Sequence, residues 1–179
     1  TIEALAALDG TARRRNAPDA DGVEALALQA RALLSGEVRV DRPFELPTRP
    51  GRPLFVHVEA NPLEGAIPLA LAWGAQGRAE VRALDEPAAK AEGLAAFARA
   101  AEASAGPVFH FGAATPRALA RLADDAGWPP ERIDALERRF FDLGRALRRG
   151  AAFLPVRRYR LEEVDEALFG AGEPTPPAF

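Results

Sequence analysis

Two polar side chains, His57 and Glu59, stand two residues apart in an otherwise apolar stretch of the chain. Because the side chains of a β-strand alternate between its two faces, this spacing predicts that both lie on one face, together with Phe55. Val56 and Val58 then lie on the other face. An imidazole and a carboxylate placed in this way can hold a divalent metal ion. The alternative is that both residues form the solvated side of an amphipathic strand.

Asp142 is a further candidate for catalysis beside Glu59. It ends a short apolar strand, which we expect to lie next to the strand of His57, so that Asp142 would assist at the same site. The alternative is a structural role, because Asp is a preferred N-cap residue and a helix is predicted to begin at Leu143.

The segment from Arg138 to Arg160 carries eight arginines and one acid, which gives a local net charge of +7 in a chain whose net charge is −3. Guanidinium groups form bidentate hydrogen bonds with phosphate oxygens. The release of counterions from the nucleic acid adds affinity that does not depend on its base sequence. Tyr159, the only tyrosine, could stack on a base. The residues expected to bind nucleic acid are Arg145, Arg148, Arg149, Arg157, Arg158 and Tyr159.

A surface of ordinary ion pairs is the alternative for this basic segment, with Glu131, Glu137 and Glu162 as the acidic partners. Lys90 is the only lysine among 23 basic residues, so the abundance of arginine also fits a bias in genome composition.

The composition excludes several classes of protein. The absence of Cys rules out disulfides, zinc ribbons and iron–sulfur clusters. No apolar run approaches the ~18 residues of a membrane span, and no signal pattern opens the chain, so we expect a cytoplasmic protein without a membrane partner. The chain begins at Thr1 and contains no Met, which predicts that it is part of a longer polypeptide.

The order of apolar patterns predicts four regions. Residues 1–36 form a small helical segment, and residues 37–53, which include four prolines, form an extended linker. Residues 54–170 form the main domain, and 171–179 a loose tail. Within the main domain, three strands in quick succession and then alternating helices and strands predict an α/β fold. Its mixed five-stranded sheet has three antiparallel strands followed by two parallel ones, flanked by helices.

Four stretches of the chain resemble one family, the predicted RecB-like nucleases with a C-terminal ribonuclease H-like domain of the YprB type. Leu54–Pro62 resembles the family's FFDIEGDP strand, and Val108–Gly112 resembles its YHY strand. Phe141–Leu143 is similar to the vDL strand, and Tyr159–Glu162 to the YSLK stretch. The resemblance covers most of the chain.

The resemblance implies a ribonuclease H-like fold related to 3′-to-5′ exonucleases of the DEDD type, which act on nucleic acid with divalent metal ions. It also implies an N-terminal nuclease part of the same polypeptide as a partner. Three acids of the family motifs are replaced by neutral residues, at His57, Asn61 and Thr115, while Glu59 remains.

These replacements weaken the catalytic interpretation. Each carboxylate at ~4 Å from a divalent ion contributes about 4 kcal/mol per unit charge at an effective dielectric near 20, so three losses outweigh the single Glu59. Our first hypothesis is therefore a nucleic-acid-binding accessory domain of a larger DNA- or RNA-processing protein, with DNA favoured over RNA. The second is an active exonuclease that uses Glu59, His57 and Asp142, with Mg²⁺ or Mn²⁺ as cofactor; otherwise no cofactor is expected. The third is a purely structural interaction domain.

Overall fold

The structure is a computed structural model, and it describes residues 1–7, 20–40, 46–61, 67–75, 77–147 and 152–170. These residues form two compact units. One unit contains the described residues within Thr1–Glu45 and Gly144–Thr175, and the other contains those within Leu46–Leu143. The four regions with boundaries at residues 36, 53 and 170 stay a prediction, and the predicted tail at 171–179 lies outside the described residues.

The helices and the strands of the main sheet follow the predicted order, and two further short strands, Arg39–Val40 and Ala152–Phe153, were not predicted. They are α1 (Ile2–Ala6), α2 (Ala20–Ser35), β1 (Arg39–Val40), β2 (Arg52–Asn61), β3 (Ile67–Ala75), β4 (Arg78–Ala83), α3 (Pro87–Ser104), β5 (Ala105–His110), α4 (Ala114–Asp125), α5 (Pro130–Glu137), β6 (Phe140–Asp142), α6 (Leu143–Ala146), β7 (Ala152–Phe153) and α7 (Leu161–Phe169).

The second unit is built on a five-stranded sheet in the order β4-β3-β2-β5-β6. Strands β4, β3 and β2 are antiparallel neighbours, and β5 and β6 run parallel to β2. Helix α3 connects β4 to β5, and helices α4 and α5 connect β5 to β6. The structure therefore confirms the predicted α/β class and the mixed sheet of three antiparallel and two parallel strands flanked by helices.

The predicted alternation in β2 is also confirmed. Leu54, Val56 and Val58 are buried against α3 and α4, because they join one apolar cluster with residues of those helices. We call this side of the sheet the helix-covered face. Phe55 and Glu59 on the opposite side are exposed, and we call that side the Phe55 face. The two-residue period of a strand is sufficient to produce this pattern.

One strand lies in a different place from the one expected. The prediction put the strand of Asp142 beside the strand of His57, but β6 pairs with β5, and β5 lies between it and β2. The prediction was wrong because β5 and β6 are both short and apolar. Nothing in their local sequences distinguishes the central neighbour of β2 from the strand at the edge.

The first unit joins helices to a small sheet. In α1, the hydroxyl of Thr1 accepts a hydrogen bond from the backbone N–H of Ala4 at 3.3 Å, as expected for an N-cap. Strands β1 and β7 pair antiparallel, with Arg39 opposite Phe153. Among the described residues, no helix has the length and apolar character needed to cross a bilayer.

Candidate functional site

His57 and Glu59 lie together on the Phe55 face of the sheet. His57 Nε2 and Glu59 Oε2 are 3.3 Å apart, and the two side chains are 44% and 66% exposed. The other ring nitrogen, Nδ1 of His57, is buried and has no hydrogen-bond partner among the described residues. The strand thus brings together the two predicted metal ligands, as their spacing indicated.

Thr115 stands where the resemblance implies an acid, and its side chain is buried at the start of α4. Its hydroxyl accepts a hydrogen bond from the backbone N–H of Val58 at 3.5 Å. Val58 is the residue between His57 and Glu59, so the first turn of α4 lies against the middle of this motif. A neutral hydroxyl at this position supplies no negative charge to a metal ion.

Asp142 has a different environment from His57 and Glu59. Its Oδ1 accepts a hydrogen bond from the backbone N–H of Gly112 at 2.8 Å. The same glycine accepts a hydrogen bond through its carbonyl oxygen from Nδ1 of His110, at 2.9 Å. Together, Asp142 and His110 hold the chain where it leaves β5.

The register of the sheet separates Asp142 from the other two candidates. Phe55, Phe109 and Phe141 are paired across three strands and therefore share one face. His110 and Asp142 are paired one residue further along β5 and β6, which directs them to the opposite, helix-covered face. The structure does not bring Asp142 to the face that carries His57 and Glu59.

The donor set does not fit the pair of metal ions that the resemblance implies. Two-metal hydrolysis needs several carboxylates around ions about 4 Å apart. Among the described residues, no group of three or more His, Cys, Asp or Glu side chains is arranged to hold a metal ion. Of the three predicted site residues His57, Glu59 and Asp142, the first two are close to each other, and two donors leave most positions of an octahedral ion to water.

A row of aromatic rings on the Phe55 face was not predicted. The rings of Phe55 and Phe109 are stacked with their centroids 5.3 Å apart, and Phe109 meets Phe141 edge to face at 5.7 Å. The signal in the sequence was the presence of phenylalanine in each of three predicted strands, but which of these rings form a row is known only when the register of the strands is known.

The predicted nucleic-acid-binding arginines are only partly described. Arg145, Arg157 and Arg158 are exposed in the first unit, while Arg148 and Arg149 lie outside the described residues. Within the described part of the chain, Arg157 and Arg158 form no ion pair, whereas Arg39 pairs with Glu37, Arg82 with Glu80 and Arg132 with Glu102. The backbone N–H of Arg158 donates to Oε2 of Glu163 at 3.1 Å, and Arg158 itself is exposed.

Tyr159 is engaged within the first unit. Its hydroxyl lies 2.7 Å from Oε1 of Gln29 and accepts from the backbone N–H of Leu154 at 3.3 Å. Nε2 of Gln29 donates to the carbonyl of Leu154 at 2.7 Å, so α2 is joined to the segment after β7. Desolvation raises the pKa of Tyr159 above the ordinary value of 10.0, and the hydrogen bond from Leu154 partly opposes this. Base stacking by this ring stays a prediction.

Arg139 belongs to the basic segment of the sequence but points inward. Its guanidinium donates to the carbonyl oxygens of Ala101 and Gly106 and to the hydroxyl of Ser104, at 2.6 to 2.9 Å. Burial lowers the pKa of Arg139, but a guanidinium remains charged at neutral pH. Arg139 therefore fastens the end of α3 and the start of β5, and it is not available to a phosphate.

Comparisons with protein-family models, with curated proteins and with solved structures find no match to this chain.

Proposed function

We propose that this chain is a catalytically silent, ribonuclease H-like domain that binds nucleic acid as an accessory part of a larger DNA- or RNA-processing protein. The strand order and directions of the five-stranded sheet support the ribonuclease H-like part, since three antiparallel strands followed by two parallel ones are what the resemblance implies. The separation of Asp142 from His57 supports the loss of catalysis.

The observation that carries nucleic-acid binding is a group of exposed arginines without acidic partners. Arg157, Arg158 and Arg160 stand within four residues of one another just before α7, and none of them forms an ion pair in the described part of the chain. Glu162 and Glu163 follow in the first turn of that helix, where carboxylates are stabilised by the helix dipole. Unpaired guanidinium groups at this spacing suit successive phosphates.

Binding of a labelled single-stranded oligonucleotide, measured at several NaCl concentrations, tests this proposal. We expect affinity to fall as salt rises, and we expect the double change Arg157→Glu and Arg158→Glu to lower it at least tenfold, with a salt slope smaller by about 1.4. The matched control is Arg99→Glu with Arg117→Glu, which changes the charge equally at exposed positions of the second unit. Equal losses in the two variants, or binding that ignores salt, would overturn the proposal. Affinities for DNA and RNA oligonucleotides of the same sequence show which of the two nucleic acids is preferred.

A metal-dependent exonuclease is the second candidate, favoured by the 3.3 Å approach of His57 and Glu59 on the exposed side of β2. Imidazole and carboxylate together suit Mn²⁺ better than Mg²⁺. Calorimetric titration with MnCl₂, repeated after Glu59→Ala, tests it. The absence of binding heat at millimolar metal would dismiss this candidate, and heat that survives Glu59→Ala would dismiss Glu59 as a ligand.

The third hypothesis, a purely structural interaction domain, is what would remain if neither nucleic acid nor metal binds.

A further inference from the structure

Strand β4 forms a free edge of the five-stranded sheet. It is the last strand in the order, and β3 is its neighbour on one side only. All six residues from Arg78 to Ala83 are exposed, although α3 approaches the strand on the helix-covered face, where a Cβ on Gly93 would lie 3.5 Å from Cβ of Arg82. No described strand pairs with the outer edge of β4. An uncovered edge presents unpaired backbone N–H and C=O groups that can pair with another strand.

The hydrogen bonds between β3 and β4 define which backbone groups are free. The N–H of Leu84 donates to the carbonyl of Leu69 at 2.8 Å, and hydrogen-bonded residues alternate along an antiparallel ladder. Arg78, Glu80 and Arg82 therefore use their backbone groups toward β3. The backbone N–H and C=O groups of Ala79, Val81 and Ala83 point outward, away from β3.

The side chains of β4 also alternate. Val81 is paired with Ala72, which is paired with His57, so Val81 lies on the Phe55 face. It is 60% exposed, the largest exposure among the large apolar side chains of the described residues. The charged side chains of Glu80 and Arg82 lie on the other side of the strand, 3.6 Å from each other.

We propose that β4 pairs with β4 of a second copy of this chain, antiparallel and with Val81 opposite Val81 of the second copy. In this register the outward backbone groups of Ala79 pair with those of Ala83 of the second copy, and those of Ala83 pair with those of Ala79 of the second copy. Every outward-facing residue of the strand then has a partner of the kind found in an ordinary antiparallel ladder.

The charges select this register over its neighbours. Glu80 stands opposite Arg82 of the second copy, and Arg82 opposite its Glu80, so two opposite-charge pairs form across the new interface. Shifting one strand along the other by two residues keeps the outward backbone groups paired. In one direction this shift places Glu80 opposite Glu80 of the second copy, and in the other direction it places Arg82 opposite Arg82. Longer shifts leave only one outward-facing residue of each strand in overlap.

The contact is self-complementary, because each copy contributes the same strand, and it closes on a dimer. The result is a continuous ten-stranded sheet in which the two valines meet on the Phe55 face. One pair of six-residue strands buries less than the ~1,200 Å² of a standard specific interface, so the dimer is expected to be weak.

Sedimentation equilibrium of the 179-residue chain over roughly 5 to 500 μM tests the proposal. We expect a monomer–dimer equilibrium. Glu80→Arg or Arg82→Glu alone places like charges opposite each other twice and should raise the dimer Kd at least ~tenfold. The double change Glu80→Arg with Arg82→Glu restores the complementarity and should restore the dimer. A mixture of the two single variants should form a heterodimer, although each alone is monomeric.

Val81→Pro provides a second test that spares the fold. The N–H of Val81 points outward, so its loss removes a hydrogen bond of the dimer and none to β3, and Pro is tolerated on edge strands. Val81→Thr keeps that N–H and is the matched control. Thermal unfolding of each variant verifies that the monomer is intact. A wild-type chain that is monomeric throughout, or a dimer unaffected by Glu80→Arg, overturns the proposal.

Discussion

His57 and Asp142 point to opposite faces of the five-stranded sheet, with β5 between their strands. Three carboxylate or imidazole groups on the strands of a sheet can share one metal ion only when they lie on the same face of that sheet. The Phe55 face keeps two such groups, and the helix-covered face has Thr115 and Asp142 in hydrogen bonds to backbone amides. Thr115, which stands where the resemblance implies an acid, and the separate candidate Asp142 are thus engaged in holding the fold together.

Asp142 should behave as a structural acceptor. Asp142→Ala leaves the N–H of Gly112 without its partner and should lower the free energy of unfolding by about 2 kcal/mol, since a hydrogen bond to a charged group is lost. Asp142→Asn keeps an oxygen in place and should cost less than about 1 kcal/mol. Urea unfolding of both variants measures the difference. Equal losses for Asn and Ala would contradict a role based on this oxygen.

Arg139 should contribute to stability and not to nucleic-acid binding. Arg139→Lys replaces a planar fork with one ammonium group that cannot reach Ala101, Ser104 and Gly106 together, and should cost about 2 kcal/mol. Arg138→Lys, at an exposed neighbouring position, should change stability by less than about 0.5 kcal/mol. Chemical denaturation compares the two. A larger effect at Arg138 would refute the assignment.

Tyr159 should make stability fall at alkaline pH. The pKa of its phenol is raised above 10.0 by burial, so the unfolded chain ionises before the folded one. The contribution of Tyr159 is therefore fully present below pH 10 and is lost as the pH rises through the higher pKa of the folded state. Since this is the only tyrosine, the phenolate absorbance of the folded chain reports its pKa directly.

Tyr159→Phe is the control for that measurement. It should be less stable at neutral pH by about 1 kcal/mol, because the hydrogen bond with Gln29 is lost. Above pH 10 its stability should decline less steeply than that of the wild type. A phenol that titrates at the ordinary value would mean that the hydroxyl is solvated.

Gly106 should tolerate no side chain. A Cβ at this position would stand 2.3 Å from the carbonyl oxygen of Arg52, where β5 begins beside β2. Gly106→Ala should therefore cost about 3 kcal/mol or more, because backbone atoms must move. Gly112→Ala meets nothing within 4 Å and is strained only by its φ of +76°, so it should cost about 1 kcal/mol. Thermal unfolding of both variants decides whether crowding or φ is the larger effect.

Local patterns in the sequence determined most of the secondary structure and the class of the sheet. Alternating apolar residues in β2, the proline at the start of α3 and the glycine-containing turn before β4 each act within a few residues, where strand period, helix start and turn geometry are decided. The same period assigned His57 and Glu59 to one face correctly. These features needed no knowledge of distant contacts.

Only the tertiary structure decided which of the candidate side chains meet. The register of β6 on β5 determines the face to which Asp142 points. The hydroxyl of Tyr159 is hydrogen-bonded to Gln29, 130 residues away in the chain, and Arg139 is hydrogen-bonded to the end of α3. A carboxylate, a phenol or a guanidinium has the same chemistry in a site and in a structural network. Its role depends on partners that are distant in the chain, and strand order and register bring those partners together.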